Sequence, residues 1–133
     1  MPVKPGEKVF LYFHGGGYVL LSAHPQALSS NIPRSLLELT DTVPRALAIE
    51  YHLSSTHPLP DCNSFPAALL DASSGYNNLV NVVGYDPCNV IVVGDSASGN
   101  LALARGETWP QGAFSVQPFA SRVRHGVLDL EAL

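Results

Sequence analysis

The stretch that decides the fold is Val90-Ile91-Val92-Val93-Gly94-Asp95-Ser96-Ala97-Ser98-Gly99-Asn100. A run of β-branched residues gives way, through Gly94, to a serine and then to small residues that are compatible with a helix. This order predicts a buried strand, a tight turn with Ser96 at its tip, and the start of a helix. In a nucleophile elbow the residues two before and two after the serine are small, because the backbone doubles back there. Gly94 and Ser98 occupy those positions, and Ser98 stands where glycine is usual.

A second informative stretch lies far upstream. Val9-Phe10-Leu11-Tyr12-Phe13 is apolar at every position, which predicts a strand buried on both faces in a parallel sheet. It runs directly into His14-Gly15-Gly16-Gly17. Consecutive glycines lose much backbone entropy on ordering, so they are used where other residues do not fit. Two interpretations stay open, a simple surface turn and a loop whose N–H groups approach a ligand, and the position directly after a buried strand favours the second.

The segments between these two stretches alternate between helix and strand patterns. Residues 23–40 have a helical pattern, with a break expected at Pro33, and their apolar face contains Leu28, Ile32, Leu36 and Leu39. A short apolar strand is predicted over residues 44–51, followed by a proline-studded loop over residues 52–63. A second helix is predicted to be capped by Asn63 or Ser64, with an apolar face formed by Phe65, Leu69, Ala72, Tyr76 and Leu79. The alternation predicts a three-layer α/β domain with right-handed crossovers.

The composition excludes several classes of function. The 133 residues are 46% hydrophobic with a formal net charge of −4, which is typical of one globular domain without a basic patch, so nucleic acid is not an expected partner. We find no apolar run of membrane-spanning length and no signal-peptide pattern, and we expect a cytoplasmic protein. Cys62 and Cys88 form neither a disulfide framework nor a metal-ligand pattern. No metal ion or cofactor is expected.

Three motifs resemble those of the hormone-sensitive-lipase group of α/β-hydrolases, and they occur in the same order as in that group. They are His14-Gly15-Gly16-Gly17, the segment Tyr51-His52-Leu53-Ser54-Ser55-Thr56-His57-Pro58-Leu59-Pro60, and Gly94-Asp95-Ser96-Ala97. The middle segment is similar to that family's Tyr-Arg-Leu-Ala-Pro-Glu-His-Pro-x-Pro, and the likeness covers residues 9–104. It implies that residues 1–105 form a partial α/β-hydrolase domain, from the glycine loop to the elbow. Residues 106–133 lack a clear period and are expected to be a divergent, irregular tail.

The resemblance also implies roles for individual residues. Ser96 corresponds to the nucleophile that attacks an acyl ester. The N–H groups of Gly15, Gly16 and Ala97 correspond to an oxyanion hole, in which fixed donors stabilise the charge that develops on the carbonyl oxygen. The supporting residues are His14, Gly17, Gly94 and Asp95: we expect His14 to orient the glycine loop and Asp95 to hold the turn.

The family takes an Asp and then a His from beyond the elbow, and neither is expected in this sequence. The tail contains His125 and then Asp129, in the reverse order and four residues apart. His24, His52 and His57 are expected to be surface or loop residues. The sequence is therefore interpreted as a truncated hydrolase fragment, inactive or nearly so, from a family that hydrolyses small acyl esters. The alternative is a non-catalytic protein that binds a small apolar ligand on the same scaffold.

The resemblance finally implies a strand order. The elbow strand is expected beside the glycine-loop strand, which lies beside the strand that ends near Tyr51. This order leaves Val90–Val93 as an apolar edge, and an edge of this kind allows self-association of the chain.

Overall fold

The computed structural model describes residues 2–106 of the chain. Three strands form its centre: β1 (Val9–Phe13), β2 (Arg45–Ile49) and β3 (Val90–Gly94). Three α-helices accompany them: α1 (Asn31–Glu38), α2 (Ala67–Asn77) and α3 (Ala97–Gly106). The predicted tail beyond α3 lies outside the described residues.

The strands form a parallel sheet in the order β2-β1-β3. The predicted strand order is confirmed: Leu11 of β1 is paired with Leu47 on one side and with Val92 on the other. All five residues of β1 are buried, as their continuous apolar pattern predicts. Within the described residues β3 is an edge strand, with Val90 buried and the residues after it half-buried.

Helices cover both faces of the sheet. Side chains alternate between the two faces of a strand, so Leu11 and Phe13 point to one face and Tyr12 to the other. On the first face they join a core with residues of α2 and α3: Ala72, Tyr76, Leu101 and Ala102. On the second face the Tyr12 hydroxyl lies 3.1 Å from the carbonyl oxygen of Ser29, just before α1. A parallel sheet with flanking helices matches part of the predicted three-layer α/β core.

The first helical segment differs from its prediction. Residues 23–27 are not helical, a single 3₁₀ turn covers Leu28–Ser30, and Pro33 lies inside the first turn of α1 rather than at a break. Proline is tolerated in the first turn because the N–H that it lacks has no partner within the helix there. The expected apolar face is largely exposed to solvent, since the relative accessibilities of Leu28 and Leu39 are each above 80%.

The second helix begins later than expected. Helix α2 starts at Ala67 with Pro66 at its N-cap, and neither Asn63 nor Ser64 caps it. Ala72, Tyr76 and Leu79 are buried as predicted, whereas Phe65 is 85% exposed because it precedes the helix. Gly75 packs closely on β2, since a Cβ atom there would lie 2.4 Å from Cδ1 of Ile49. After α2 the chain continues in a π-helical segment over Asn78–Val83.

Candidate active site

Ser96 lies in the turn between the carboxyl end of β3 and the first residue of α3. Its φ angle is +53°, in the left-handed region that residues with a Cβ atom rarely adopt. Such strain persists only where the surrounding structure imposes it, and it is common at functional sites. The residue is exposed. The local geometry is therefore the strand, strained turn and helix that the sequence predicts for a nucleophile elbow.

Gly94 is required by the close return of the backbone. A Cβ atom at this position would lie 2.3 Å from the carbonyl oxygen of Ser98, which is far inside van der Waals contact. Ser98 is fully buried, and its hydroxyl lies 2.6 Å from the carbonyl oxygen of Phe13 and 2.7 Å from that of Asp95. The serine that replaces the usual glycine thus links the elbow to the end of β1.

The glycine loop and the elbow are joined by the side chain of Asp95. Its Oδ1 atom accepts a hydrogen bond from the Gly15 N–H at 3.0 Å and another from the Tyr12 hydroxyl at 2.7 Å. The Asp95 carbonyl oxygen accepts the Ser98 N–H at 3.1 Å within its own turn, where we expected this residue to act. Its side chain also bonds to residues 80 and 83 positions away. The aspartate therefore connects two segments of the site.

The opposite side of the glycine loop is held by Tyr51. Its hydroxyl donates to the carbonyl oxygen of His14 at 2.5 Å, and its ring stacks on the His14 ring with 4.2 Å between centroids. Burial raises the pKa of Tyr51 to about 12, so the hydroxyl keeps its proton at neutral pH. His14 is fully buried, with Nδ1 2.8 Å from the Gly15 carbonyl oxygen. Its Nε2 atom has no hydrogen-bond partner within the described residues, and the nearest carboxylate oxygen, of Glu50, is 3.9 Å away.

The other two glycines of the loop adopt positive φ angles, +100° at Gly16 and +64° at Gly17. At Gly16 a Cβ atom would also lie 2.2 Å from the carbonyl oxygen of Leu20. Tyr18 follows, and its hydroxyl donates to the carbonyl oxygen of Ala97 at 2.7 Å, directly after Ser96. The loop is therefore an ordered structure that contacts the elbow, rather than a simple surface turn.

A cleft of about 160 Å³ opens next to this region, between the start of α2 and helix α3. Its walls are mainly apolar and include Tyr18, Phe65, Leu69, Leu101 and Ala104. A space of this size accommodates a group as large as a benzene ring.

Several expectations concern residues away from the elbow. The predicted surface positions of His24, His52 and His57 are confirmed, and Nδ1 of His52 lies 2.8 Å from Oδ2 of Asp71. Cys62 and Cys88 are exposed, and neither forms a disulfide within residues 2–106. The same residues contain no cluster of His, Cys, Asp and Glu that could hold a metal ion. No helix among them is long and apolar enough to cross a membrane. His125 and Asp129 lie outside the described residues.

Sequence reasoning missed three contributors to the site: the hydroxyls of Tyr12, Tyr51 and Ser98. The sequence contained a signal for Tyr12 alone. It is the only residue of β1 with a polar group in its side chain, and a buried tyrosine hydroxyl normally has a hydrogen-bond partner. The partner itself, on a segment 83 residues away, is not readable from the local pattern.

A family model described as alpha/beta hydrolase fold matches residues 10–109. The chain belongs to the α/β hydrolase family. The predicted family is thereby confirmed, and relatives and solved structures agree. The chain is 31% identical to the esterase LipU of Mycobacterium tuberculosis, with 78% of this chain and 31% of the relative covered. It is also 31% identical to an acetyl-hydrolase of Streptomyces hygroscopicus, with 94% of this chain and 40% of the relative covered.

The fold is also similar to a solved hyperthermophilic esterase from the archaeon Pyrobaculum calidifontis. The TM-score is 0.58 at 31% sequence identity, covering 77% of this chain and 32% of the other. A second solved structure, of the esterase EstE5, gives a TM-score of 0.54 at 33% identity, covering 80% of this chain and 33% of the other. The chain therefore spans only about a third of the length of these proteins.

Proposed function

We propose that this chain provides the nucleophile and the oxyanion-binding loop of a serine carboxylesterase that acts on small acyl esters. The observation that carries the proposal is the exposed, strained Ser96 at the end of β3, hydrogen-bonded through its neighbours to a three-glycine loop. In the reaction the Ser96 hydroxyl oxygen attacks the ester carbonyl carbon, the alcohol leaves, and water then hydrolyses the acyl-enzyme. The attack needs a base to accept the hydroxyl proton, and none of the described residues is assigned that role.

The oxyanion donors in this proposal differ in one position from the sequence expectation. The Gly15 N–H already donates to Asp95, so it is not available to an oxyanion. We assign the hole instead to the N–H groups of Gly16, Gly17 and Ala97. Ala97 is the first residue of α3, where backbone N–H groups have no partner within the helix. Gly15 then becomes the residue that anchors the loop.

The test is the reaction of Ser96 itself in the purified 133-residue chain. We expect a fluorophosphonate to label Ser96, identified by peptide mass spectrometry, and we expect Ser96→Ala to abolish labelling and any hydrolysis of p-nitrophenyl acetate. Ser74→Ala is the matched control, because Ser74 is an exposed serine on α2. Equal hydrolysis by wild type and Ser96→Ala, with no label on Ser96, contradicts the proposal.

The apolar cleft favours a second candidate function, the binding of a small apolar ligand without turnover. This function predicts saturable binding of a benzene-sized probe such as benzyl alcohol, observed by NMR, with the same affinity in Ser96→Ala. Labelling of Ser96 together with turnover that depends on it favours the esterase instead.

A further inference from the structure

The side chain of Asp95 lies between the two segments that the proposed esterase mechanism must hold together. A single oxygen, Oδ1, accepts both the Gly15 N–H and the Tyr12 hydroxyl. The packing is so close that a Cβ atom at Gly15 would lie 2.3 Å from Oδ2 of the same carboxylate. The first peptide of the glycine loop is therefore placed by a residue directly adjacent to Ser96.

Tyr12 supports this carboxylate from inside the sheet. It is the fourth of the five residues of β1, close to the glycine loop, and it is fully buried. Its hydroxyl has one proton to donate. Of its two acceptors, Asp95 Oδ1 at 2.7 Å is closer than the Ser29 carbonyl oxygen at 3.1 Å. Burial, followed by the bond to Asp95, raises the pKa of Tyr12, so the hydroxyl remains a donor throughout the neutral range.

A carboxylate beside an oxyanion site opposes the negative charge that develops there. The carboxylate of Asp95 is nevertheless explained if its function is to accept the two hydrogen bonds at Oδ1 and not to supply a charge. We propose that Asp95 and Tyr12 are positioning residues that set the glycine loop at the correct place relative to Ser96. This inference rests on the proposed esterase function for its kinetic consequence, but the loop geometry itself is measurable without turnover.

The experiment compares four variants of the full chain. Asp95→Ala removes the acceptor, whereas Asp95→Asn keeps an acceptor oxygen at the Oδ1 position, removes the charge and replaces Oδ2 with an NH2 group. Tyr12→Phe removes the supporting donor. Tyr85→Phe is its matched control, since Tyr85 is also a buried tyrosine and its hydroxyl also donates to a carboxylate, Oε1 of Glu7 at 2.9 Å, away from the elbow.

The first measurement is hydrogen exchange of the Gly15 amide by NMR. Loss of a hydrogen bond to a charged group is expected to speed exchange by about tenfold or more in Asp95→Ala, and Tyr12→Phe should give a smaller increase. Asp95→Asn and Tyr85→Phe should stay within about threefold of the wild type. Unchanged exchange in Asp95→Ala overturns the proposal, and so does equal behaviour of Tyr12→Phe and Tyr85→Phe.

The second measurement is the kinetics of ester hydrolysis. Misplaced oxyanion donors weaken only the transition state, so Asp95→Ala should lower kcat by about tenfold to hundredfold with little change in KM, and Asp95→Asn should restore it. If Asp95→Asn is as slow as Asp95→Ala, the charge matters and the positioning role is wrong. If the wild-type chain has no turnover, as expected of a fragment without a base, fluorophosphonate labelling of Ser96 decides the proposed function. The exchange of Gly15 then decides separately whether Asp95 and Tyr12 hold the loop.

Discussion

The elbow junction (residues 12–15 and 94–98) and the proline loop (residues 52–63) lie at the same end of the molecule but are held in different ways. Three side-chain bonds at the junction join residues that are 80 to 85 positions apart, and most of the groups involved are buried. Side-chain bonds within the proline loop join residues no more than ten positions apart, and all of them are exposed. The junction therefore depends on the whole fold. The side-chain bonds inside the proline loop are local, and outside the loop its first residues are bonded to Tyr18 and Asp71.

The largest effect is expected from Gly94→Ala at the junction. The added methyl group must displace the Ser98 carbonyl, so we expect a loss of about 3 kcal/mol in the free energy of unfolding, or failure to fold. Urea denaturation measures it. Gly99→Ala is the matched control, because a Cβ atom there would lie an ordinary 3.5 Å from its nearest contact, the Gly94 carbonyl oxygen. If both variants are equally stable, the tight return at the elbow is not a constraint.

A smaller effect is expected from Tyr51→Phe, which leaves the buried His14 carbonyl without its donor. The expected loss at pH 7 is about 1–3 kcal/mol. The variant also tests the raised pKa of Tyr51. An unfolded tyrosine ionises near pH 10 and the folded one near 12, so the unfolded state is favoured increasingly as the pH rises between these values. Wild-type stability should fall over that range, and Tyr51→Phe should fall less steeply.

The measurement is urea denaturation repeated at several pH values from 8 to about 12, with the slope of stability against pH compared between the two proteins. Comparing slopes separates the titration from the constant loss of the hydrogen bond. Parallel curves contradict the assignment of a raised pKa to Tyr51.

The smallest effect is expected in the proline loop, from Ser55→Ala. Its hydroxyl donates to the carbonyl oxygen of Pro60 at 2.6 Å, but Pro60 is exposed and Ser55 only half-buried, so water can replace the bond. We expect a change within about 0.5 kcal/mol in the free energy of unfolding. A loss as large as that of Tyr51→Phe removes the distinction between the two regions.

The comparison also explains which predictions succeeded. The strands were predictable because Val9–Phe13 and Val90–Val93 are apolar at every position, a pattern that depends only on neighbouring residues. The helix starts were less accurate. Residues 23–27 have a helical pattern without helical structure, and Pro66 rather than Asn63 or Ser64 precedes α2. The N–H of Ala23 donates to the Glu50 carboxylate, 27 positions away, and a local pattern does not contain such a bond.

The candidate site likewise contains one part that local sequence predicts and one part that depends on distant residues. The elbow itself, with Gly94 and Ser96 at the required spacing, was readable from eleven consecutive residues, because its small residues are dictated by the local path of the backbone. The role of Gly15 was not readable. Its N–H could serve an oxyanion or another acceptor, and only the folded chain places Asp95 beside it.

By itself, the sequence determined the α/β class, the strand order expected from the family and the residue most suited to be the nucleophile. The class and the candidate nucleophile follow from hydrophobic patterns and from motif spacing, which depend only on the order of the residues. The strand order was implied by the resemblance to the family. Only the tertiary structure decided that Tyr12, Asp95 and Gly15 form one hydrogen-bonded unit, and that Tyr51 holds the loop from its other side. The physical reason is that parallel strands bring together carboxyl ends that are remote in sequence, and hydrogen bonds act only at the short distances that folding creates.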